Sequence, residues 1–434
     1  MEAPSKVQSL PSKLEWFGQP RGLTILFLTE MWDQFSFFGM RALLVLYMTK
    51  HLLIAQQKAS WIYGLYAAFV YLTPLFGGAI TDRWLSRRTS VVLGGLIMAA
   101  GHFMMAFEPL FLFALATIAV GNGLFLPSLP SQIDSLYDHD DPRRKSAFSV
   151  YYVGINLGAF AAPLAIGTIG ELYGFHYGFG LAGIGMIVGL LTYVMGRKYL
   201  PAEPERGRLA RAKDREAAPG GNLSRFALLL AIAGVIVIFR GAYEQLGNTI
   251  SLWADQSIDR TVTGGFNIPV TWFQSLNPLM VFVLSPILVA RWTWLAKRGR
   301  EPSSGAKMVA GATVIALSYL LIAGGALWVE HHGGKLGYPW MLAFIVVMTA
   351  GELYILPIGV GLFGRLAPKG FTATSIAVWY SAGFLGNIFA GWVGTLWTPV
   401  AHSTFFAIAG GIGLVAALLL ALLSRRIATN EKAS

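Results

Sequence analysis

RKYLPAEPERGRLARAKDREAAPGGNLSR, residues 197–225, is the least hydrophobic stretch in the interior of this 434-residue chain. Six apolar runs precede it, at about 21–48, 60–81, 90–107, 109–136, 147–172 and 176–196, and six follow, at 226–254, 270–293, 307–329, 338–365, 371–397 and 402–423. A hydrocarbon layer about 30 Å thick takes roughly 20 apolar residues at 1.5 Å each, so each run is long enough to cross it. The expectation is an all-α membrane protein of twelve transmembrane helices in two six-helix bundles, 1–196 and 226–434, joined by a cytoplasmic linker, 197–225. The linker's 29 residues, many of them charged, have no room for two further spans. It reads as a solvated connector in favourable contact with anionic headgroups.

Composition agrees with the runs. Hydrophobic residues make up 55%, mean hydropathy is +0.57, and charged residues are only 13%, against about 25% in an average soluble domain. That excludes an ordinary cytosolic enzyme. The net charge of +11 would suit nucleic acid only if the basic residues clustered on one solvated face; they lie between the runs instead. With both termini cytoplasmic, 27 of the 33 Lys and Arg fall in cytoplasmic segments, four (Lys50, Lys58, Arg260, Lys335) fall outside, and Arg41 and Arg240 sit within spans. The positive-inside rule favours that orientation. The absence of cysteine removes disulfides, thiolate metal sites and a Cys nucleophile. Residues 1–20 contain no apolar segment of the kind a cleaved secretory signal carries. Two six-helix halves on one polar linker is the arrangement of major facilitator transporters, whose substrate site lies between the halves near mid-membrane. No residue-level repeat relates the halves.

An ionised side chain at the centre of a span costs about 2.5 to 3.5 kcal/mol on insertion scales, so such residues mark functional sites by default. Six stand out: Glu30, Asp33, Arg41, Arg240, Glu244 and Glu352. In TEMWDQFSFFGMR (29–41), Glu30, Asp33, Gln34, Phe37 and Arg41 share one helical face, expected to look into a wet cavity. Arg240 and Glu244 are four residues apart and can pair, which leaves open a purely structural ion pair. Four carboxylates against two guanidiniums leave a surplus of acid, so at least one carboxyl is expected to hold a proton near neutral pH. A protonatable acid on a transport cavity is the minimal part of a proton-coupled carrier; a cationic substrate would fill the same deficit.

Several stretches resemble the proton-dependent oligopeptide transporter family. EMWDQFSFFGMR (30–41) is similar to its first-span signature ExxERFxxYG, AFSVYYVGINLGAFAAP (147–163) to its fifth span, YEQLGNTISLWA (243–254) with WFQSLNP (272–278) to spans seven and eight, and GELYILPIGVGLFGRLAP (351–368) to span ten. GAITDRWLSRR (78–88) resembles the general facilitator loop after span two. The resemblance implies proton-coupled uptake of di- and tripeptides or peptide-like solutes, with the proton as coupling ion and no other cofactor. It places Glu30, Asp33, Glu244 and Glu352 as proton-coupling acids and Arg41 as a carboxylate-binding cation. Asn156 and Asn277 become peptide-backbone contacts, Glu244 and Glu352 partners of a substrate amino terminus, and Tyr66, Tyr71 and Trp379 cavity aromatics. The expected setting is a bacterial cytoplasmic membrane, the expected state a monomer.

The departures from the family pattern concern charge. Gln34 stands where the signature has Arg, Phe38 where it has Tyr, and Leu126 where the family usually carries Lys; Arg240 replaces an aromatic residue and can still grip a carboxylate. These motivate an alternative: a divergent carrier, uncoupled or exporting, for a neutral or cationic solute. A membrane enzyme finds no support, since the seven histidines lie mainly at span ends and no HExxH or GxSxG motif occurs.

Overall fold

In the computed structural model the described residues are 15–16, 18–137, 141–201, 223–262, 264–368 and 371–432. Most of the expected linker therefore lies outside the described residues. Among them the chain forms twelve long helical segments: α1 Arg21–Leu46, α2 Gln56–Arg83, α3 Arg87–Met104, α4 Phe111–Ser128, α5 Arg144–Ala162, α6 Phe175–Gly196, α7 Leu223–Tyr243, α8 Trp272–Lys297, α9 Ser304–His332, α10 Pro339–Leu353, α11 Thr372–Gly394 and α12 His402–Lys432. Ten spans built on them are long and apolar enough to cross a membrane. Two helices fall short: α1, with Glu30, Asp33, Gln34 and Arg41 in its body, and α3, which opens on Arg87-Arg88. The expected fold, an all-α membrane protein of the major facilitator type, is the one observed.

Three helices are interrupted, each for a readable reason. After α5, Pro163 lacks an N–H, and the chain widens into a π turn at Pro163–Gly167 before resuming as Thr168–Leu172. Gly174, at φ 124°, then takes a conformation closed to most side chains and starts α6. α10 stops at Leu353 and resumes as Leu356–Leu366, because the Pro357 ring clashes with the carbonyl four residues back. α7 tightens into a 3-10 turn, Glu244–Gly247, and continues as Thr249–Ser257.

Hydrophobic cores form within each bundle. Residues 228–427 contribute a cluster that includes Trp253, Tyr319, Phe344, Phe405 and Phe406, while the first bundle holds clusters around Tyr47 and Phe179 and around Phe125 and Tyr193. Val45 and Leu46, at the end of α1, pack into the second bundle's core. The bundles meet closely at the end of the molecule that α1 reaches with His51, here called the far end. Gly64 on α2 lies so close to α11 that an added Cβ would stand 2.5 Å from Gly391 Cα. Ser60 donates to Asn248 Oδ1 at 3.0 Å, Gln56 donates to the Gly394 carbonyl at 2.9 Å, and Lys50 pairs with Asp255 at 2.6 Å. Glu171 accepts from the backbone N–H groups of Val270 and Thr271 at 2.9 and 2.8 Å, capping the approach to α8.

Candidate functional site

A cavity of about 190 Å³ lies between the bundles at mid-depth. Its walls come from both: Phe38 and Arg41 on α1, Tyr71 on α2, Tyr152 and Asn156 on α5, Tyr243 on α7 with Glu244 just after it, Gln274 and Asn277 on α8, and Glu352 on α10. Tyr152, on the rim away from the far end, is 50% exposed. Glu244 opens the 3-10 turn after α7, and Glu352 sits one residue before the end of α10. Both acids of the second bundle are thus carried at helix discontinuities, where irregular backbone at membrane depth is tolerated because it lines a cavity.

Glu244 is gripped from both bundles. Arg41 donates from Nη2 to Oε2 and Arg240 from Nη1 to Oε1, each at 2.6 Å. The two guanidiniums rest on tyrosines: Arg41 over Tyr63 at 5.3 Å, with Nε donating to Tyr63 Oη at 2.7 Å, and Arg240 over Tyr71 at 4.6 Å. Gly386 makes room for Arg240, since a Cβ there would stand 2.7 Å from Arg240 Cβ. Glu352 is held by neutral donors: Asn277 Nδ2 donates to Oε2 at 2.6 Å, and the Tyr243 hydroxyl faces the same carboxylate. Asn156, on the cavity wall, donates from Nδ2 to the Tyr152 carbonyl at 3.0 Å.

Glu30 and Asp33 depart from the expected wet face. They are 1% and 2% exposed and lie outside the cavity lining. Arg41 is eleven residues beyond Glu30 and eight beyond Asp33 on α1, roughly 16 and 12 Å at the helical rise. The α1 face therefore splits, with Arg41 at the cavity and the two acids in a separate buried cluster. Tyr151 on α5 donates to Glu30 Oε2, and Gln34 donates to Glu30 Oε1 at 2.8 Å and to Asp33 Oδ2 at 3.3 Å. Gln34 thus donates to both acids from one neutral amide nitrogen, where the family signature has a charged Arg. Tyr66 and Trp379 also lie off the cavity. Tyr66 borders an apolar groove with Ile62, Phe69 and Leu115, and Trp379 packs over Phe363 with rings 5.3 Å apart. Tyr63, Tyr151 and Tyr243 were not picked out from sequence; Tyr151 falls within the quoted fifth-span stretch, five residues before Asn156.

A polar cavity at mid-depth, walled by two six-helix bundles that close at one end, defines an alternating-access membrane carrier. A family profile described as POT family matches residues 88–215 and 221–410. The chain belongs to the POT family, a family of transporters and not of enzymes. It is 31% identical to a di-/tripeptide transporter of Lactococcus lactis subsp. cremoris, over 95% of this chain and 96% of the relative. It is 32% identical to the peptide transporter YePEPT of Yersinia enterocolitica subsp. palearctica, over 88% and 89%. Its backbone matches a crystal structure of a peptide transporter POT mutant in complex with alafosfalin, with a TM-score of 0.86, 30% identity, and 97% and 98% of the two chains covered.

Proposed function

We propose that this protein imports di- and tripeptides, or solutes of similar shape, driven by protons moving inward. The observation that carries the reading is the Glu244 bridge between Arg41 and Arg240, placed across a cavity whose opposite wall presents Glu352, Asn277 and Asn156. The Arg41 guanidinium on the cavity wall suits a substrate carboxylate, with Arg240 behind it to hold Glu244, a carboxylate held only by neutral donors suits an ammonium group, and the amides suit a peptide bond. Glu30 and Asp33, buried apart from the cavity, supply acid on α1, the helix that also carries Arg41. In this reading the halves 1–196 and 226–434 rock about the cavity, in a bacterial cytoplasmic membrane with both termini inside, and the working unit is a monomer. The closed far end is then the outer gate, and the conformation is inward-facing. Proteoliposomes of the purified protein should accumulate a labelled dipeptide when the outside is acidified. Absence of uptake for every di- and tripeptide tried, with a working relative as positive control, would overturn the proposal.

A second reading, a divergent carrier for a neutral or cationic solute, uncoupled or exporting, draws support from charge. The cavity guanidinium of Arg41 and the buried Arg240 beyond the lining are both already engaged by Glu244, and Gln34 and half-buried Leu126 are neutral. A thermal-shift screen of dipeptides against cationic metabolites separates the two, because a ligand of the folded state raises its apparent stability. Stabilisation by dipeptides that is lost in Arg41→Ala favours the first.

A further inference from the structure

Away from the transport cavity, at the far end of the first bundle, the fold gathers two histidines and a glutamate that are widely separated in sequence. His51 closes the π turn that ends α1, Glu108 opens the 3-10 turn before α4, and His176 lies in the first turn of α6, after the Gly174 bend. One ligating atom from each lies within 4.8 Å of the others. His51 Nε2 is 2.8 Å from Glu108 Oε1, and His176 Nε2 is 3.9 Å from the same oxygen. Bonds of about 2.1 Å to a tetrahedral ion put neighbouring ligand atoms roughly 3.4 Å apart, so the three side chains need only small rotations to meet one ion. We propose that His51, Glu108 and His176 form a binding site for a zinc-type divalent cation.

The chemistry narrows the ligand. Two imidazoles and one carboxylate are a borderline set, the combination that zinc takes with a fourth position left to water; magnesium and calcium prefer all-oxygen shells. The side chains are 35%, 54% and 37% exposed, so an ion can enter and leave from solvent. The imidazoles are also positioned: His51 stacks on Tyr47 at 5.3 Å, and the two histidine rings meet edge to face at 5.0 Å. His176 turns Nε2 toward Glu108 at 3.9 Å, beyond hydrogen-bond reach, while its other nitrogen, Nδ1, is buried on the opposite edge of the ring. A plain surface hydrogen bond explains His51 with Glu108; it gives no reason for His176. A bound ion would tie together the ends of α1, α4 and α6, all within one bundle, and so would leave the rocking interface free.

The full-length protein, freed of any purification tag and stripped with chelator, is titrated with zinc chloride by calorimetry. The expected result is one saturable equivalent. That step should be lost in His51→Gln and in His176→Ala, weakened in Glu108→Gln, and kept in a His331→Ala/His332→Ala control. Cobalt is expected to give the intense visible absorption of a low-coordinate nitrogen–oxygen site, lost with the same substitutions. Unfolding curves in chelator that match the wild type show that the variants fold, and of the His51 and His176 substitutions the one that does so carries the comparison. Zinc isotherms that superimpose for the wild type and a folded His51 or His176 variant, or a step that disappears with His331 and His332, would overturn the proposal.

Discussion

Glu244 has one carboxylate oxygen for each bundle, and the two bonds are not equivalent. The Arg240 and Glu244 side chains are 4% and 5% exposed, whereas Arg41 is 19% exposed. Removing one partner of a buried charged hydrogen bond costs about 1–3 kcal/mol, and solvent screens the more open pair. Arg240→Leu is therefore expected to lower the unfolding free energy by about 2 kcal/mol, and Arg41→Leu by clearly less, while Arg41→Leu removes more of the substrate-dependent thermal shift. Equal losses in both measurements would contradict the asymmetry. The acids of α1 give a second prediction. Glu30→Gln should abolish acid-driven accumulation and leave counterflow exchange measurable, since the glutamine carbonyl still accepts from Tyr151 but the amide does not titrate; loss of both modes to the same degree would assign Glu30 a folding role. The six intramembrane charges were legible in the sequence because their cost is high wherever they sit. Their grouping was not. The helical period put Glu30, Asp33 and Arg41 on one face, but only the packing of α5, with Tyr151 against Glu30, separates the acids from the cavity.

The same limit governs the elements. Eleven of the twelve spans could be read to within a few residues from apolar runs, because length and hydropathy are imposed by the bilayer; the last helix runs nine residues past 423, through the polar Arg425–Lys432 stretch that hydropathy does not register. The interruptions were less visible. Pro357 signals the break in α10, and the only local mark of the 3-10 turn at Glu244–Gly247 is the Gly247-Asn248 pair that ends it, with Asn248 at φ −114°, ψ −101°. Glu171 is the element-scale counterpart of Glu244. From the end of the fifth span it caps Val270 and Thr271 just before α8, takes the Thr271 hydroxyl at 2.7 Å, and stands beside the bond from Trp272 Nε1 to Thr168 at 2.7 Å. Hydrogen bonds to a charged acceptor are worth about 1.5–3 kcal/mol. Glu171→Gln is expected to weaken the far-end seal by that order, and to make Ser60→Cys, otherwise buried under Asn248, react with a maleimide. A thiol as protected in the Glu171→Gln background as without it would show that the seal does not depend on this cap.

At the scale of the whole molecule, closure at one end and exposure at the other is a statement about which side of the membrane reaches the cavity. The absence of native cysteine makes it directly testable. Tyr152 lies on the cavity rim and is 50% exposed, while Ser60 is fully buried beside Asn248 and Gly394. In the proposed orientation, which the positive-inside rule favours from 27 Lys and Arg in one set of sequence segments against four in the other, the open end of the cavity faces the cytoplasm. A membrane-impermeant maleimide should then label Tyr152→Cys in inside-out vesicles and spare it in right-side-out ones, with Ser60→Cys protected in both. Alternating access requires the pattern to move, because a carrier fixed in one state cannot transport. Acidification of the outer face with saturating dipeptide should raise Ser60→Cys labelling from that face and lower Tyr152→Cys labelling from the other. If both thiols changed in the same direction, the bundles would be loosening and not exchanging gates, and the rocking of 1–196 against 226–434 would fail as the mechanism.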